Sequence, residues 1–127
     1  MIFDTDVLIW IQRGNLRAAH AFERERERRI SIFTYMELMQ CARDKTQHAR
    51  TVDFLREFEV VILPLTENIG HRAAIYVEQF ALSHGLRAGD AVIAATAVET
   101  GLTLCTADTK HFKAIPDLRL KTFKPHL

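Results

Sequence analysis

The sequence predicts an α/β fold in three layers, with a central, mostly parallel sheet of four or five strands flanked by helices. Short apolar runs of strand length alternate with longer segments of helical period, the runs end in polar or acidic residues, and glycine or proline marks the changes. With 127 residues, 48% hydrophobic and 26% charged, the chain is sized for one domain over residues 1–127 with a full core of its own.

Ile2-Phe3 reads as a buried strand closed by Asp4-Thr5-Asp6, after which a short helix starts near Asp6 and carries Val7-Leu8-Ile9-Trp10-Ile11. Gly14-Asn15 interrupts, and Leu16 to Arg28 has helical composition, with Leu16, Ala19 and Phe22 on one side. The run from Glu23 to Arg29 alternates acid and base. It reads as a solvent-facing helix held by ion pairs, since a strip for binding nucleic acid needs an excess of cations. Ile30-Ser31-Ile32 reads as a second strand, leading into a helix capped by Thr34, where Glu37 completes a capping box. That helix is expected to run to about Ala42, and another to span roughly His48 to Phe58.

Val60-Val61-Ile62-Leu63, closed by Pro64, is a candidate buried strand. From Thr66 to His84, Ile69, Ala73, Val77 and Phe80 share one helical face, and Gly85 ends the helix. Asp90 opens the nearly all-apolar helix Ala91-Val92-Ile93-Ala94-Ala95-Thr96-Ala97-Val98, which must pack inside the protein, and Gly101 ends it. Thr103-Leu104-Cys105-Thr106 forms a fourth strand ending in Ala107-Asp108, and Leu118-Arg119-Leu120, continuing toward Thr122, a weaker fifth.

Lys and Arg number 17 against 16 Asp and Glu, a formal charge of +1. That balance excludes a protein that coats nucleic acid by net charge, and leaves room for an acidic pocket inside a basic rim. Cys41 and Cys105 have no zinc or redox spacing and read as reduced core thiols. No stretch reaches the roughly 18 apolar residues of a membrane span, and Asp4 stands where a signal peptide needs bases, so a cytoplasmic location is expected.

In a parallel sheet, right-handed crossovers bring the loops after successive strands to one edge. Asp4 and Asp108 each follow a predicted strand, and Glu37 and Asp90 sit in early turns of predicted helices, so all four can share that edge. Four acids there repel one another, and a divalent cation removes the repulsion. Oxygen-only ligation favours Mg2+, or Mn2+ in its place, over zinc. Such an ion activates a water for in-line attack on phosphorus and stabilises the leaving oxygen. Each acid also has a structural alternative. Asp4 closes a turn, Asp6 caps the first helix instead of supporting a metal-bound water, Glu37 completes its capping box, Asp90 caps its helix, and Asp108 belongs to a surface turn with Thr109 and Lys110. Thr106 offers its hydroxyl to a carboxylate or a phosphate.

Four segments resemble the motifs of the PIN-domain family, in particular its small VapC-like toxins. They are Phe3-Asp4-Thr5-Asp6-Val7-Leu8-Ile9, Glu37 behind Ser31-Ile32-Phe33-Thr34-Tyr35-Met36, Gly89-Asp90-Ala91-Val92-Ile93-Ala94-Ala95-Thr96-Ala97, and Thr106-Ala107-Asp108-Thr109-Lys110-His111-Phe112. The resemblance covers nearly the whole chain. It implies a PIN-like three-layer domain, Mg2+- or Mn2+-dependent RNA endonuclease activity, a homodimer, and a cognate antitoxin whose tail occupies the active-site groove. By this resemblance Asp4, Glu37, Asp90 and Asp108 are the metal-holding set, with Thr106 in support. Asp6 departs from the serine or asparagine common at its position.

Arg13, Arg43, Lys45, Arg87 and Lys110 stand near the expected edge in sequence and could hold RNA phosphates, Arg87 first among them, or be scattered surface charges. Tyr35, Met36, Leu38 or Met39 could form a dimer contact or pack internally. Two other readings compete. One is a phosphatase resembling the haloacid-dehalogenase superfamily, using Asp4-Thr5-Asp6 as nucleophile and acid but leaving Glu37 without a role. The other is a non-catalytic interaction protein of the same fold.

Overall fold

The direction of side chains in the two central strands sets the layers. In this computed structural model, which describes residues 1–126, the strands are β1 (Ile2–Phe3), β2 (Arg29–Ser31), β3 (Val61–Leu63), β4 (Leu104–Thr106) and β5 (Leu120–Thr122). Leu127, the last residue of the expected domain, lies outside the described residues. All pairings are parallel, in the order β3-β2-β1-β4-β5. The helices among the described residues are α1 (Thr5–Gln12), α2 (Leu16–Glu23), α3 (Ile32–Cys41), α4 (Lys45–Glu57), α5 (Glu67–His84), α6 (Ala88–Thr100) and α7 (Thr109–Phe112).

Successive strand residues point to opposite faces. Ile2 and Leu104 therefore join Ile69 and Ala73 of α5, Ala94 of α6 and Phe112 of α7 in one core, while Phe3 and Cys105 join Val7, Phe22, Leu38 and Leu55 of α1 to α4 in the other. Phe3 and Phe22 are fully buried with ring centroids 4.9 Å apart, each contributing about 2–3 kcal/mol by leaving water. The sheet between two helical layers is the architecture expected from the alternation of apolar runs and helical periods.

Helix α5 runs from a Thr66 cap to Gly85, whose φ of +67° is costly for any side chain with a Cβ, and α6 ends at Gly101 as expected. Other boundaries differ from the sequence expectation. Asp4, not Asp6, caps α1, its carboxylate accepting the Thr5 N–H at 2.8 Å. Ser31 caps α3 by accepting the Thr34 N–H at 3.2 Å, so Ile32 is helical and Glu37 takes no part in a capping box. Asp44 caps α4, which starts three residues before the expected His48.

Helix α2 stops at Glu23, and the alternating acid-base run is not helical. The Arg28 guanidinium donates to the carbonyls of Phe22, Glu23 and Phe58 while lying over the rings of Phe22 and Phe58. That tertiary contact outweighs surface ion pairs worth about 0.2–0.5 kcal/mol each. Strand β3, expected to be buried, is an edge strand with Val61 50% and Ile62 36% exposed. Cys105 is a core thiol, but Cys41 at the end of α3 is exposed. Among the described residues, no helix is long and apolar enough to cross a membrane.

Candidate functional site

Strand register places the first acid. Ile2 pairs with Leu104 and Phe3 with Cys105, so Asp4 leaves β1 opposite Thr106, and its N–H donates to the Cys105 carbonyl at 2.9 Å. Asp4 is 6% exposed. Its Oδ1 accepts from the Thr5 N–H, and its Oδ2 accepts from the Thr106 hydroxyl at 2.7 Å.

Thr106 is the hub of the cluster. Its single hydroxyl proton goes to Asp4, the Asp6 Oδ2 being farther at 3.4 Å, and its oxygen accepts the Asp108 N–H at 2.9 Å. Asp6, in the first turn of α1, accepts the Ala107 N–H at 3.0 Å through Oδ2. Its Oδ1 is buried without a hydrogen-bond partner among the described residues.

Asp90 lies in the first turn of α6, where its carboxylate accepts the Arg87 N–H at 3.3 Å. The start of α6 sits tight against α3, because Gly89 packs under the Phe33 ring, where a Cβ would lie 2.3 Å from Phe33 Cζ. Asp108 caps the single turn of α7, accepting the His111 N–H, and its Oδ2 lies 2.6 Å from His111 Nδ1. Glu37 joins through a relay in which the Thr5 hydroxyl donates to Glu37 Oε1 at 2.6 Å and sits 3.0 Å from the Thr34 hydroxyl.

The four aspartates act on one another electrostatically. Burial pushes Asp4 up to about 8, Asp6 and then Asp90 raising it further against the hydrogen bonds from Thr106 and Thr5. Burial also raises Asp6, with Asp108 adding to the effect and the Ala107 N–H opposing it. Asp90 is raised by burial and by Asp108, against the Arg87 N–H and the charges of His111 and Arg87.

This donor set fits a hard divalent cation. Its atoms are carboxylate oxygens, one is buried with no donor, and the acids raise one another for want of positive charge. Among the described residues, no three His, Cys, Asp or Glu side chains converge tightly enough to cage an ion alone.

Of the expected cations, Arg87 stands at the N-terminus of α6 beside Asp90, and Lys110 lies in α7 beside Asp108. Arg13 closes the far end of α1 over the Trp10 ring, and Arg43 and Lys45 lie past the far end of α3. At 1.5 Å per residue, α1 carries the Arg13 backbone about 13 Å from Asp4, whereas Arg43 stands six residues past Glu37, about 9 Å along α3. Among the described residues, none of these three forms an ion pair with the acids. Of the proposed dimer residues, Leu38 is 2% exposed and packs in the core, whereas Met36 is 48% exposed. His111 and Thr5 had no role assigned from sequence. The readable signals were the three-residue spacing of His111 behind Asp108 on a helical turn, and a hydroxyl between two acids.

A PIN domain family model matches residues 1–118. A toxin-antitoxin complex from Klebsiella pneumoniae is similar at 31% identity and TM-score 0.81, covering 98% of this chain and 97% of that one. FitAcB from Neisseria gonorrhoeae follows the fold at 26% identity and TM-score 0.73, covering 99% of each chain. VapBC-1 from nontypeable Haemophilus influenzae does so at 25% identity and TM-score 0.75, covering 96% and 98%. No curated protein matches the sequence closely enough to count as a relative.

Proposed function

The chain belongs to the PIN domain family, and on that premise we propose that it is a VapC-like nuclease toxin, a divalent-metal-dependent endoribonuclease that cleaves RNA phosphodiester bonds with an activated water. The observation that supports this reading most is the convergence of Asp4, Asp6 and Asp108 on Thr106, with Asp90 near enough to raise Asp4 and the Asp6 Oδ1 left without a donor among the described residues.

Asp4, Glu37, Asp90 and Asp108 would hold Mg2+, or Mn2+ in its place, with Asp6 offering its free oxygen. A bound cation supplies a water of lowered pKa and positive charge for the phosphate oxygens. The remaining work belongs to the chain. Thr106 aims the Asp4 carboxylate through its hydroxyl, and Thr5 fixes Glu37. Asp108 orients His111, which can hold a proton beside the site. Arg87 and Lys110, next to Asp90 and Asp108, offer positive charge to phosphates that the acids alone would repel.

PIN membership sets aside the phosphatase reading. Asp4 would also be a poor nucleophile there, because both its carboxylate oxygens already accept hydrogen bonds. A non-catalytic scaffold would leave the buried, mutually repelling acids without a use. The likeness to toxin-antitoxin complexes supports a cognate antitoxin as partner. The exposed Met36, with Val61 and Ile62 of the edge strand, supports a homodimer through α3 and β3.

The test is digestion of total RNA by the purified protein with Mg2+, Mn2+ or chelator, beside Asp90→Asn. Cleavage is expected to need the metal and to fall about 100-fold or more in the variant, with an unchanged circular-dichroism spectrum. Equal cleavage by the variant would overturn the assignment.

A further inference from the structure

The acidic site has a basic neighbour that the proposed chemistry does not use. Between α2 and the end of β5 lies a cavity of about 250 Å3 rimmed by Arg17, His20, Arg24, Lys121 and Lys124. All five are exposed, and none of the four Lys and Arg forms an ion pair among the described residues. In a chain of 17 cations and 16 acids, four unpaired cations around one cavity are a marked local excess. The floor adds no opposing charge, since burial pushes the Cys105 thiol up to about 11 and keeps it neutral.

The cavity is preformed and close to the acids. Arg17 Nε donates to the Lys124 carbonyl at 2.8 Å, and Asn15 Nδ2 donates to the Pro125 carbonyl at 3.0 Å, so α2 and the segment after β5 are tied together. Thr122 pairs with Thr106 in register, and the Phe123 N–H donates to the Thr106 carbonyl at 2.8 Å. Thr106 is the residue that holds Asp4. With strands about 4.8 Å apart and about 3.3 Å per residue, the Lys124 backbone lies on the order of 8 Å from that hub.

We propose that this cavity is an exosite for the backbone phosphates of single-stranded RNA flanking the scissile bond, a proposal that rests on the nuclease reading above. Exposed Arg and Lys without acid partners suit phosphate oxygens. The exposed rim is cationic, four of the nine lining residues being Arg or Lys, whereas a protein partner anchors its side chains in desolvated apolar pockets. Its place beside the acidic hub lets one strand lie across both regions, its phosphates drawn to the cations on one side and to the cation-loaded acids on the other.

The test compares the parent with Arg24→Gln/Lys121→Gln/Lys124→Gln and with Lys121→Arg/Lys124→Arg, each checked for an unchanged melting temperature. The glutamine variant is expected to raise KM for a single-stranded RNA about 10-fold at unchanged kcat. It should also lower the slope of log affinity against log salt by about 2, as loss of three phosphate contacts requires. The arginine variant should match the parent. Unchanged KM and salt slope in the glutamine variant, with the parent active, would overturn the exosite and leave the nuclease reading intact. A parent that binds RNA through these residues but never cleaves it would remove the nuclease reading alone. Loss of binding to polyglutamate with RNA binding unchanged would make the cavity a protein-docking site and overturn the proposal.

Discussion

The acidic centre and the basic cavity lie one strand apart and store their charge in opposite ways. Asp4, Asp6 and Asp90 are drawn partly or wholly out of water, raised by burial and by neighbouring carboxylates, and held by Thr106, Thr5 and backbone N–H groups. The cations stay exposed and separate, their charge spread over solvent. A buried like-charge cluster is costly until a counter-ion arrives, whereas an exposed one costs little and is screened by salt. The first region should therefore govern stability, pH response and turnover, and the second only affinity.

The largest expected effect comes from removing the most buried charge. Asp4→Asn should abolish metal-dependent cleavage, a fall of about 100-fold or more, yet raise the melting temperature of the metal-free protein at pH 8. The sign follows from linkage. The folded pKa of Asp4, about 8, lies above the unfolded value near 3.8, so the folded state keeps a proton that the unfolded state loses. Its contribution is whole below pH 4 and is lost as pH rises toward and through 8. Thermal melts of the parent should fall over that window, flatten with saturating Mg2+, and flatten in Asp4→Asn without it. A parent melt insensitive to both pH and Mg2+ would break the contrast between the two regions.

A smaller effect isolates position from charge. Gly89→Ala puts a methyl 2.3 Å from Phe33 Cζ, so α6 or the ring must shift, at about 1–3 kcal/mol, and Asp90 shifts with its helix. Chemical denaturation should show the loss, and Phe33→Ala in the same chain should recover part of it together with cleavage. The smallest effect is expected from Arg43→Gln/Lys45→Gln, beyond the far end of α3, where KM for RNA should change less than about 2-fold. A change as large as that of the cavity variant would mean that distance from the acidic edge does not decide which cations meet RNA.

The parts of the fold that could be read from residues are those whose causes are neighbours along the chain. The 18-residue α5, with Ile69 and Ala73 on its buried face and glycine at its end, and the apolar α6 both carry their reasons within one segment. The end of α2 was not legible, because Arg28 reaches the Phe58 carbonyl 30 residues away. Neither was the cap of α3, where Ser31 and Thr34 are chemically equivalent choices until the strand register stops β2 at Ser31. The apolar composition of β3 suggested burial, but its place at the edge of the sheet exposes it.

Candidate acids could be named from local pattern, since each follows a strand or opens a helix. Their hub could not be, because Thr106 meets Asp4 across 102 residues of chain. The same holds for the basic cavity, built from residues 17–24 and 121–124. By itself the chain determined most of its elements, its layers and which acids are candidates, since periodicity and capping act between residues a few positions apart. The tertiary structure alone decided which charges became neighbours and which were sealed from water, because strand register and helix packing bring distant residues within the few ångströms over which such forces act.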